Sequence, residues 1–150
     1  MPVESLKTPL GRAEEETSEV QTDTKLVVLA AKESEDAFWS IEPFVHVTGV
    51  QVRAVFWDGN LFEGLSAGSL RSSVIMLSSA FAEQPVSETI SQIKELDGDV
   101  PVVVVVTTDS TSELEREARC AGIFFYMTLP VRRDEIEQVT LWALQAGRRS

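Results

Sequence analysis

The side chains able to do covalent chemistry are few in this chain, and their spacing limits what they can do. His46 is the single histidine. It has no serine, aspartate or cysteine partner at a motif spacing, so it reads as a helix-end residue and not as a base. Cys120 is the single cysteine. It excludes an intramolecular disulfide framework and offers no zinc cluster. Standing before Ala121 and Gly122, it reads as a small buried residue of a helix, not a nucleophile. The first apolar run is followed by "AAKESED", not by G-x-G-x-x-G or a P-loop, so a nucleotide cofactor is not expected. With no triad, metal cluster or rationalised acid pair, the sequence does not point to an enzyme.

The elements that must position the remaining polar groups alternate regularly. "KLVVLAA" (25–31), "VQVRAVFW" (50–57), "VIMLS" (74–78), "VPVVVVVTT" (100–108) and "IFFYM" (123–127) read as five strands. The fourth is the most apolar, which suits a central strand covered on both faces. Between them lie helical patterns. In 34–49, Ala37, Phe38, Ile41, Phe44 and Val45 repeat at helical spacing, with Ser34 as a possible cap and Pro43 as a kink. Residues 58–72 give a weak helix thinned by three glycines. Pro85 opens a third helix, ending near Leu96. Ser110 and Glu113 form a capping box for a fourth, closed by Gly122. A fifth covers 132–147. Five strand–helix pairs predict an α/β domain of three layers, with a five-stranded parallel sheet in the flavodoxin-like order 2-1-3-4-5.

Composition sets the class. Apolar residues make up 43% of the chain and charged residues 25%, as in ordinary globular proteins. The net charge of −11 argues against binding to nucleic acid or an anionic membrane. No apolar stretch approaches the ~20 residues that span a bilayer, and no signal peptide is evident, so a cytoplasmic protein is expected. Residues 1–24 carry six acids against two bases and no aromatics, and are read as a disordered acidic arm. Residues 25–147 form the domain and 148–150 a tail.

At the carboxyl ends of the strands the chain resembles the receiver domains of two-component response regulators. The resemblance covers residue 25 to about residue 146 and rests chiefly on "VPVVVVVTT" and "REARCAGIFFYMTLPV". Receivers have a fourth strand after a proline, ending in Ser or Thr. An Ala-Gly pair, a short strand with an aromatic and then Lys-Pro follow. Ala121, Gly122, Tyr126 and Pro130 stand in those places. The "DG" of 58–59 also resembles the opening of many receivers' second helix.

Active receivers transfer a phosphoryl group from a kinase histidine to an aspartate, with two acids holding Mg²⁺ and a Ser/Thr and a Lys meeting the phosphoryl oxygens. Carried over residue by residue, the acidic pair falls on Ala30 and Ala31. The acceptor falls on Ser78, the hydroxyl on Thr107 (Thr108 if the register slips by one), and the lysine on Leu129 before Pro130. Only the hydroxyl survives. The resemblance therefore implies a pseudo-receiver, its phosphoryl pocket filled with hydrocarbon and the proline kept as a backbone feature able to sit cis. Ser78 is a poor acceptor without a metal or base. Glu33, Glu83 and Asp109 lie beyond the strand ends and read as solvated loop charges, not a rebuilt Mg²⁺ site. No cofactor is expected.

The fifth helix points to a partner. At about 100° per residue, Ile136, Val139, Thr140 and Ala143 share the face that should meet the sheet. Leu141 then points away, with Trp142 and Leu144 on the flanks. In receivers the fourth helix, fifth strand and fifth helix form the usual contact surface. Tyr126, Arg132, Arg133, Leu141, Trp142 and Leu144 are the candidates on it here, with Glu115 and Arg119 beside them. The expectation is a bacterial signalling module that acts by protein–protein contact, with a protein partner or a homodimer on that face. The alternatives are a small-ligand sensor, with Arg132, Arg133, Arg148 and Arg149 available to an anion, and the N-terminal regulatory module of a larger transcriptional regulator.

Overall fold

The computed structural model describes residues 25–46, 49–70, 72–106 and 111–147. The acidic arm and the 148–150 tail lie outside the described residues, as do Thr107, Thr108, Asp109 and Ser110. Among the described residues five strands, β1 (Lys25–Ala30), β2 (Val50–Val55), β3 (Val74–Ser78), β4 (Val102–Val106) and β5 (Phe125–Thr128), form one parallel sheet in the order β2-β1-β3-β4-β5. This is the expected flavodoxin-like order. β3 and β4 are buried at every position, as their unbroken apolar runs require. β2 and β5 are the edges. Polar Gln51 and Arg53 on β2 discourage pairing with another strand.

Among the described residues six helices cover the sheet: α1 (Asp36–Trp39), α2 (Glu42–Val45), α3 (Asp58–Ala67), α4 (Val86–Leu96), α5 (Ser112–Ala121) and α6 (Arg133–Gly147). Alternation along the strands sorts the core into two clusters. Val28, Ala30, Ile75, Leu77, Val102 and Val104 face α3, α4 and α5. Val27, Leu29, Val74, Met76, Val103 and Val105 face α1, α2 and α6.

Several boundaries differ from the sequence reading, each for a local reason. The expected first helix is two short ones. Pro43 lacks an N–H to donate backward, so the chain restarts at Glu42 with the proline in the new first turn. Ser34 is not the cap: Glu35 holds the N-cap position of α1 with no side-chain capping bond. α3 stops at Ala67, five residues early, because Gly68 turns the backbone left-handed at φ 87°. The reversal lays Leu70 on Gly64, where an added Cβ would come within 2.5 Å of the leucine side chain. β2 ends at Val55 rather than Trp57. β4 starts at Val102, after Pro101, and β5 starts at Phe125. The α5 cap is Thr111, one residue after the expected Ser110; its Oγ1 accepts from the Leu114 N–H at 3.0 Å. Gly122 closes α5 at φ 97°, as its position suggested.

Candidate functional site at the carboxyl end of the sheet

β1 and β3 are neighbours, so their carboxyl ends bring Ala30, Ala31 and Ser78 together. Ala30 and Ala31 are fully buried, one in each core cluster. Ser78 is 1% exposed. A buried hydroxyl needs partners, and Ser78 has two. It donates to Glu35 Oε1 at 2.5 Å and accepts the Ala80 N–H at 3.2 Å.

Glu35 is the residue that sequence reasoning missed. Its second carboxylate oxygen accepts the Lys32 N–H at 2.8 Å, and one side chain thus ties the β1–α1 loop to the end of β3. The loop is pinned further by Trp39, whose indole donates to the Lys32 carbonyl at 2.8 Å. Lys32 reaches across to Glu83, Nζ to Oε2 3.3 Å, in an exposed pair of little energetic weight. The "ESED" run offers three acids in four residues, and nothing in their spacing singles out Glu35.

These groups do not fit Mg²⁺. Ala30 and Ala31 carry no donor, and the Glu35 carboxylate is engaged by the Ser78 hydroxyl and the Lys32 N–H. Among the described residues no cluster of three or more His, Cys, Asp or Glu side chains is placed to hold a metal ion. Thr107 lies outside the described residues.

The Leu129–Pro130 peptide is cis. Leu129 donates its N–H to Val106 and packs, half-buried, against the cluster on the α1, α2 and α6 side. With Ala37, Ile41, Phe44 and Val131 it lines a groove of about 250 Å³. An apolar side chain suits that surface, and no carboxylate among the residues that line the groove would pair with an ammonium there.

The surface expected to carry a partner is assembled only in part. Ile136, Val139, Thr140 and Ala143 are buried against the sheet, as their phase predicted, while Leu141 (42%) and Trp142 (49%) are exposed. Leu144 is a correction. It is 7% exposed and belongs to the core cluster under α6, because the last turn still lies over the sheet. Tyr126 is buried too, at 9%, with the Arg119 guanidinium 5.9 Å from its ring centre. Arg119 makes two bonds to Glu115. Arg132 forks onto Asp134 at 2.7 and 3.2 Å and holds that carboxyl below its ordinary value of 3.8. Arg133 turns the other way, pairing with Glu137 and lying over Phe44 of α2, so it does not join Tyr126. Cys120, expected to be buried, is exposed: it sits on the outer side of α5, whose only buried residue is Ala118.

No family model matches the chain, and no curated protein matches it significantly. Solved structures do. The chain is similar to a CheY-like response regulator receiver domain protein from Methanospirillum hungatei JF-1, with 12% identity, a TM-score of 0.69, and coverage of 85% of this chain and 99% of that one. A Francisella response regulator 1452 receiver domain gives 16% identity and a TM-score of 0.67 over 85% and 100%. NtrX from Brucella abortus, in complex with ATP, gives 14% and 0.70 over 84% of this chain and 28% of that one. The chain therefore has the fold of receiver domains.

Proposed function

We propose that the chain is a signalling module of receiver fold that acts by contact with another protein and without phosphorylation at the end of β3, a pseudo-receiver. The observation that carries this reading is the state of Ser78. It is buried, bonded to a carboxylate, and flanked by two alanines where an active receiver needs acids. A phosphoryl group arriving there would meet the negative charge of Glu35 with no described metal ligand set to offset it. The exposed Leu141 and Trp142 on α6 support contact with a partner. Among the described residues no helix is long and apolar enough to cross a membrane.

The test is direct. The protein is incubated with phosphoramidate and Mg²⁺ and its intact mass is recorded, with an active receiver run in parallel. The reading expects phosphorylation of the control alone. A phosphorylated form mapped to Ser78 would overturn it.

A further inference from the structure

A second surface lies at the carboxyl end of the edge strand β2. Phe56 and Trp57 leave β2 with 48% and 62% of their surface exposed, and Trp57 is the most exposed of the large apolar residues described. Neither is loose. Phe56 lies 5.3 Å from the ring of Trp39, which in turn stands edge-on to fully buried Phe38 at 5.1 Å. Phe56, one end of this ridge, is thus tied to the core through a chain of aromatic rings. Trp57 is extended, at φ −148° and ψ 137°, and its indole folds over the first turn of α3. A Cβ on Gly59 would fall 2.6 Å from that ring. The glycine lets one ring face lie on the backbone and leaves the other turned to solvent.

Carboxylates stand beside the exposed indole of this ridge. From Lys32 to Arg71 the sequence contains six acids (Glu33, Glu35, Asp36, Glu42, Asp58 and Glu63) and three bases, Lys32, Arg53 and Arg71, and Lys32 is paired with Glu83. Asp58 adjoins Trp57 in the chain. Glu63 is exposed and stands one helical turn beyond Gly59, on the α3 face that the indole covers. An exposed indole face in a negative field attracts a cation, because the ring quadrupole and the carboxylates act with the same sign.

We propose that this ridge is a docking surface for a cationic, amphipathic segment of a partner protein, with a Lys or Arg over Trp57 and apolar side chains against Phe56. The inference shares with the functional reading only the premise of a protein partner. Failure at Ser78 leaves the ridge untouched, and failure at the ridge leaves Ser78 untouched.

The experiment titrates the full ¹⁵N-labelled chain with a synthetic Leu/Lys amphipathic helix and follows the three tryptophan side-chain N–H signals. Saturable shifts are expected at Trp57 and at the amides of Phe56, Asp58 and Gly59, with Trp142 unmoved. Trp57→Ala should weaken binding about tenfold. Asp58→Asn with Glu63→Gln should weaken it about threefold and flatten its salt dependence. Gly59→Ala keeps the indole but displaces it, and should weaken binding as Trp57→Ala does while preserving the fold. The proposal is overturned if no saturable shift occurs, if shifts centre on Trp142, if all acidic-to-amide substitutions weaken binding equally wherever they lie, or if tetramethylammonium alone reproduces the response at matched concentration.

Discussion

Removing the Ser78 hydroxyl tests the physical core of the site. Ser78→Ala deletes one charge-assisted hydrogen bond, the 2.5 Å contact to Glu35, and also the acceptor of the Ala80 N–H. Hydrogen bonds to charged groups contribute roughly 1.5–3 kcal/mol. Glu35 is only half-buried and keeps its bond to the Lys32 N–H, so water can replace part of what is lost. That discount gives about 1–2 kcal/mol, or a fall in Tm of roughly 3–6 °C for a domain of this size. Urea unfolding followed by circular dichroism should show it as a shift in midpoint at constant slope. A double-mutant cycle with Glu35→Ala should return a coupling of about 1 kcal/mol. Ser78→Asp goes further, because a second carboxylate at that position faces Glu35. Like charges raise the folded-state pKa of the pair, so the variant should be less stable than Ser78→Ala at pH 7 and should recover as the pH falls and the pair takes up a proton. Ser78→Ala within about 0.5 kcal/mol of the parent, with no coupling to Glu35, would mean that this hydrogen bond does not hold the β1–α1 loop to β3.

Three further outcomes follow from the packing. Leu144→Ala should cost about 2–4 kcal/mol, while Leu141→Ala and Trp142→Ala stay within about 0.5 kcal/mol, read by the same urea titration. Gly64→Ala should destabilise by about 1–3 kcal/mol despite the better helix propensity of alanine, since Leu70 occupies the space its Cβ needs. Asp134, held down by Arg132, should titrate below 3.8 by carbon-detected NMR. Its folded pKa lies below the unfolded one, so the stability it lends α6 is present above the unfolded pKa and is lost as pH falls through the folded pKa. Arg132→Ala should return the midpoint toward 3.8.

The sheet was legible because its signals are local and redundant. Unbroken β-branched runs such as "VVVVV" and a left-handed glycine at Gly122 specify elements whatever surrounds them. In the first helix the break at Pro43 was legible and its cap was not: Ser34 has the right residue type, but Glu35 holds the N-cap position. Leu144 misled because helical phase, counted from one end, predicts a flank, whereas burial depends on how far the sheet extends under the last turn. Glu35 escaped for a more basic reason. Its role depends on two strand ends meeting in space, 43 residues apart in sequence, and no spacing rule encodes such a contact. Phe56 and Trp57 were hidden inside an expected strand that stops at Val55.

The most direct test of the central claim is an amide NMR comparison with and without Mg²⁺ and beryllofluoride, which mimics the phosphoryl group on receivers. A site without phosphoryl chemistry gives no saturable shift at Ala31, Ser78 or Ser79. Saturable shifts at those amides would contradict it and return the protein to the phosphoryl-controlled switches.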